Sequence, residues 1–215
     1  MAIYDENKEA EFDYDWLTKE DYQFKLLALL AVLADNKLAY RGTLADMRDF
    51  LGVSGCSRNN KIIKDAIDAL ETDGLLKKTI DGRKFTLTLS KKAEKQRRVI
   101  RMKNDWVMVA KNYAAMPNKT ESVAWDKLLK VWLFLLDRNN QPNKAKVTIT
   151  NKQIAEALGM TEGTVKNARA ALTNDIEAII SKTKYSYNPE QYQPYCCLGS
   201  EITVTAWITD NRPTP

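Results

Sequence analysis

The side chains in this 215-residue chain whose types and spacing bear on chemistry are cationic and hydrogen-bonding rather than catalytic. There is no histidine, which excludes imidazole bases, His-based triads and His-containing zinc sites. No GxxxxGK[ST] or GxGxxG phosphate loop occurs, and no nucleophile is paired with a base. Two polar sets remain. The first is Arg58, Asn59, Asn60, Lys61 and Lys64, opposite an apolar stripe of Ile62, Ile63, Ala66, Ile67, Ala69 and Leu70, with Lys77, Lys78, Arg83 and Lys84 shortly after. The second is Thr161, Thr164, Lys166, Asn167 and Arg169, followed by Lys182 and Lys184. Such groups bond phosphate oxygens and base edges: asparagine pairs bidentately with adenine, and lysine with guanine or phosphate.

These sets need helices to carry them, and the chain repeats one plan twice. FKLLALLAVLADN (24–36) and DKLLKVWLFLLDRNN (126–140) both read as a first, apolar helix. A shorter helix ending in Leu-Gly follows each, closing at Gly52 and at Gly159, an offset of 107. Another helix comes next, from Ser57 to Asp73 and from Thr161 to about Ser181. The period then falls to two. Residues 75–80 and 83–89 predict a hairpin around Asp81-Gly82, with Phe85, Leu87 and Leu89 on its packed face. Residues 182–187 and 201–208 predict a second hairpin with a long tip that holds Tyr185, Tyr187, Tyr192 and Tyr195. The expected fold class is α+β, mainly α with small β-hairpins, in two domains of about 100 residues each.

Three helices and a hairpin, twice, is the order of the winged helix. TNKQIAEALGMTEGTVKNARAAL (150–172) resembles the helix-turn-helix of bacterial response regulators and winged-helix repressors: Ile154, Ala155 and Leu158 pack, Gly159 bends, and Val165, Ala168 and Leu172 return the stripe. The resemblance implies that Thr161, Thr164, Lys166, Asn167 and Arg169 or Ala170 face the major groove. In the first copy Arg48 stands where the second has Ala155, and residues 53–56 lengthen the turn, which predicts a looser version. The stretch WVMVAKNYAAM…KLLKVWLFLLDRNN is similar to the opening of the first such domain in plasmid replication initiators, of which only a non-nicking kind fits a chain without histidine.

Charge is unevenly spread around a net +5. Residues 1–17 hold six acids against Lys8 and predict a loose acidic leader, whereas residues 75–103 hold eleven bases against two acids, a net +9 that attracts polyanions. The expected layout is a leader over 1–17, a first winged helix over 18–90, a basic structured connection over 91–122 that starts with a Ser-capped helix, a second winged helix over 123–210, and a tail. Trp106, Trp125, Trp132 and Phe134 read as packing residues, and Cys56, Cys196 and Cys197 as small apolar fillers in a reduced cytosol.

The function expected from these features is sequence-specific binding of double-stranded DNA, as a transcriptional regulator or an origin-binding replication factor of a mobile element. No catalysis and no cofactor are expected, and a homodimer is left open. A second reading is a winged-helix protein-interaction module of a chromosome-organising complex. Residues 1 onward show no signal peptide, and no apolar run reaches the roughly 18 to 20 residues of a membrane span, so a cytoplasmic protein without membrane association is expected.

Overall fold

The computed structural model describes residues 8–35, 38–90, 98–139, 147–187 and 195–204; for residues 147, 180, 182–187, 195–201, 203 and 204 only the backbone is described. The chain is mixed α and β, with small antiparallel sheets. It divides into two compact units, residues 1–108 and 109–215. No helix among the described residues is long and apolar enough to cross a membrane.

The first unit opens with strand β1 (Glu9–Asp13) and a 3-10 turn (Tyr14–Thr18), then helix α1 (Asp21–Leu33). Phe24, Leu26, Leu27, Ala28, Leu29, Leu30 and Val32 of α1 are all buried. A helix apolar on every side needs cover on every side, and β1, strand β2 (Ala39–Thr43) and helices α2 (Leu44–Leu51) and α3 (Ser57–Thr72) pack on it. Strands β3 (Leu76–Asp81) and β4 (Lys84–Leu89) follow, and β4 lies in the middle of a sheet of order β2-β4-β3. Strand β5 (Val99–Lys103) pairs with β1, and helix α4 (Asn104–Asn112) comes next.

The second unit repeats the order. Helix α5 (Trp125–Asn139), strand β6 (Val147–Ile149), helices α6 (Asn151–Leu158) and α7 (Glu162–Asn174), and strands β7 (Ile179–Tyr187) and β8 (Tyr195–Val204) form a sheet of order β6-β8-β7. Helix α5 is buried from Leu128 through Asp137, Trp132 and Phe134 included, while Trp106 and Trp125 are half-buried.

Local sequence explains the matching bends. Thr43 and Thr150 each form a capping box, accepting from the backbone N–H of Asp46 and Gln153 while those side chains return to the threonine N–H. Gly52 and Gly159 end the helices with φ of 69° and 62°, a left-handed backbone that glycine enters without a Cβ clash.

Five expectations are corrected. Each copy has a strand, β2 or β6, between its first and second helices; these runs are short, and pairing to β4 or β8 decides them. The acidic segment is not a free leader over its described part: Ala10, Phe12, Trp16 and Leu17 are buried, and Tyr14 N–H bonds the Arg98 carbonyl at 2.8 Å. Within 91–122, residues 91–97 lie outside the described residues, and 99–103 is a strand in the first unit rather than part of a basic helix. The two segments pair as antiparallel strands that bury Ala10, Phe12, Ile100 and Met102, with Glu9 opposite Lys103 and Glu11 bonded to Arg101 Nε at 3.1 Å. Finally, α7 stops at Asn174, and β7 begins already at Ile179. The hairpin loop of the first copy is Gly82-Arg83, one residue later than expected.

Candidate nucleic-acid interface

In the first unit, Arg58, Lys61 and Lys64 are exposed at three-residue intervals along the front half of α3. Both asparagines between them are engaged inside the protein. Asn59 Nδ2 donates to the Ser54 carbonyl at 2.9 Å and to Ser54 Oγ at 3.1 Å, closing the turn that leads into α3. Asn60 Oδ1 accepts from Arg48 Nη1 at 2.7 Å. Arg48, which has no counterpart in the second copy, thus ties α2 to α3, and its guanidinium lies beside Gly55, where an added Cβ would meet it at 3.5 Å. Cys56 is exposed at the α3 N-cap rather than a buried filler, and the Asn59 backbone N–H, with Ser54 and Arg58, holds its thiol below the usual range.

The basic residues of the hairpin split between two faces. Phe85 and Leu87 are buried; Ile80 and Lys78, opposite them in register, share their side of the sheet. Lys77 and Lys84 fall in the alternate register, with Thr86 and Arg41, on the other side. Lys78 is spent internally. Its Nζ bonds Asp68 and lies 3.4 Å from Glu71 Oε2, and its backbone N–H donates to Glu71 Oε1 at 2.9 Å. The Asp68 hydrogen bond, with the nearby carboxylates, raises its pKa above the usual lysine value. Arg83 is exposed in the hairpin loop.

In the second unit, Thr161 caps α7, its Oγ1 accepting from the Thr164 N–H at 3.2 Å and lying 2.9 Å from Thr164 Oγ1. Lys166 is exposed, and Asn167 and Ala170 are half-buried. Arg169 is not free for a ligand. It donates to Asn151 Oδ1 and, at 2.7 Å, to Ser181 Oγ, joining α6, α7 and β7, and burial lowers the pKa of its guanidinium. Lys182 and Lys184 sit on β7 in register with Glu201 and Gly199, and their side chains lie outside the described residues. The tyrosines at 185, 187 and 195 and Cys196 and Cys197 are likewise described in backbone only, and Tyr192 lies outside the described residues.

The two units carry a cleft in the same place, between the start of the second helix, the third helix and the strand after it. The equivalent buried positions of the third helices are Ile63 and Val165, Ala66 and Ala168, and Leu70 and Leu172. The offset therefore falls from 107 at the glycines to 102, so the second copy is five residues shorter between them. By this register Lys64 matches Lys166, Ile67 matches Arg169 and Asp68 matches Ala170. The first cleft, of about 840 Å³, is lined by Arg48, Lys64, Ile67, Lys78, Ile80 and Arg83 among others. The second, of about 310 Å³, is lined by Asn151, Lys166, Arg169 and Ser181. Residues 58–64 and 161–169 were legible as polar helix faces; Arg48 and Ile80 were not, since their roles depend on contacts across elements. No family model matches the chain, and no curated protein matches it.

Proposed function

We propose that the chain is a sequence-specific double-stranded DNA-binding protein built from two tandem winged-helix domains, serving as a transcriptional regulator or an origin-binding replication factor of a mobile element. The observation that carries the reading is the equivalence of Lys64 and Lys166: each is exposed at the same register of a third helix, within a unit of order helix, strand, helix, helix, strand, strand. A duplicated fold that keeps one exposed cation at one position presents the same charge twice to a repeating polyanion.

In this reading the front of α3 enters a major groove with Arg58, Lys61 and Lys64, and the front of α7 does so with Lys166 and Asn167. Asn167 supplies a side chain able to pair with adenine. Thr161 and Thr164 hold the start of α7 in shape, and Arg83, Lys77 and Lys84 reach flanking phosphates from the two faces and the loop of the hairpin. Selection of bound duplex from a random pool, followed by footprinting, tests this. A two-part site with half-sites about one helical turn apart is expected; absence of duplex binding at low salt refutes it.

A further inference from the structure

We propose that the cleft of the first unit docks an acidic peptide segment through one large apolar side chain, a contact that the second unit cannot make. Ile80 is 55% exposed, the most exposed large hydrophobic side chain among the described residues. It stands over a floor that includes the buried Ile67 and Phe85. Around that floor three separate elements supply Arg48, Lys64 and Arg83, while the charge of Lys78 is taken up by Asp68 and Glu71. A cationic rim over an apolar floor is complementary to acidic groups flanking an apolar one. A DNA backbone matches only half of that chemistry, because phosphate and deoxyribose leave the Ile67, Ile80 and Phe85 surface without an apolar partner of matching size.

The second unit supplies an internal comparison. At the position of Ile67 it has Arg169, which reaches across to Asn151 and Ser181, and the space beside it is about 310 Å³ against about 840 Å³. Counted from the strand starts, Leu76 and Ile179, the position of Ile80 corresponds to Thr183. The second cleft is thus occupied by a hydrogen-bonded arginine where the first has an apolar floor and an exposed isoleucine beside it.

The inference does not rest on DNA binding, and each can fail alone. The probe is a short fluorescein-labelled peptide of glutamates interrupted by one phenylalanine and one leucine, compared with the same peptide carrying serine at both apolar positions, titrated into the full chain by anisotropy. Binding of the apolar version, weakened about tenfold by Ile80→Ser and further by Arg83→Glu, with little binding of the serine version, supports it. Equal binding of both peptides, indifference to Ile80→Ser, or no peptide binding overturns it. Methyl NMR of Ile80 adds a second readout: a shift caused by a DNA duplex but not by the apolar peptide also overturns the proposal.

Discussion

Arg48 Nη1 donates to Asn60 Oδ1 at 2.7 Å, bonding the second helix of the first unit to the third where the second unit uses the small Ala155. A charge-assisted bond between half-buried groups at the base of a longer turn contributes stability as well as orientation. Arg48→Ala is expected to destabilise the first unit by about 1 to 2 kcal/mol, read from urea unfolding. Unchanged unfolding would mean that the turn holds itself.

Arg169 performs the matching task in the second unit, bridging Asn151 and Ser181. Arg169→Ala should cost about 2 kcal/mol of stability. Arg169→Lys should recover little of it, because an ammonium does not span two acceptors as a planar fork does. Thermal unfolding of both variants checks this; full rescue by lysine contradicts the fork geometry.

The helix-ending glycines give a test free of packing effects. An added Cβ at Gly52 or Gly159 meets nothing within 4 Å, so Gly52→Ala and Gly159→Ala carry only the left-handed backbone cost of about 1 to 2 kcal/mol. Gly163 lies inside α7 without a positive φ, and the nearest atom to its added Cβ is Thr161 Oγ1 at 3.9 Å. Gly163→Ala should stabilise by about 0.5 to 1 kcal/mol. Denaturant midpoints of the three variants should therefore move in opposite directions.

Asp175 accepts from Thr120 N–H at 2.9 Å, Thr120 Oγ1 at 3.1 Å and the Tyr113 hydroxyl, and these donors, the tyrosine first, hold its carboxyl below the usual range. A lowered folded pKa means that its stabilisation is complete above the unfolded carboxylate value near pH 4 and is lost as pH falls through the folded value. Asp175→Asn should flatten that part of the acid limb. At the alkaline end, burial pushes Tyr113 and Tyr40 up to about 12. A raised folded pKa favours the protonated form, so that contribution is intact below the unfolded value near pH 10 and disappears as pH rises toward 12. Unfolding curves across pH, with phenolate absorbance followed at 295 nm (roughly the phenolate band, given the tyrosine ionisation near pH 10), report both limbs.

Lys64 and Lys78 face the same cleft with different freedom, since only Lys78 is paired with Asp68 and Glu71. Lys64→Ala and Lys166→Ala should each lower the salt slope of duplex binding by about 0.9. Lys78→Ala should change that slope less and lower stability instead. Equal slopes for all three would remove the distinction.

Much of the architecture was legible because it is written in local chemistry. Gly52 and Gly159 mark their bends, the stripes from Ile63 to Leu70 and from Val165 to Leu172 mark the third helices, and Phe85 and Leu87 mark the packed face of a strand. Strands β2 and β6 escaped because three to five residues leave no readable period, and their state is set by partners about 40 to 55 residues away. The acidic segment was misread because its alternating Ala10 and Phe12 are few among many charges, and its partner strand lies 90 residues on. At the candidate interface, exposure of Lys61, Lys64 and Lys166 followed from helix phase. The engagement of Asn59, Asn60, Lys78 and Arg169 within the protein did not, because each depends on a neighbour from another element.

In both three-stranded sheets the central strand is the last of the three to be made. A ribosome that has released β2 and β3, or β6 and β7, has released two edges with nothing between them, and only Lys84–Leu89 or Tyr195–Val204 can join them. Each sheet therefore closes late, in a single event, and a nascent chain halted just before either strand would hold helices without a closed sheet.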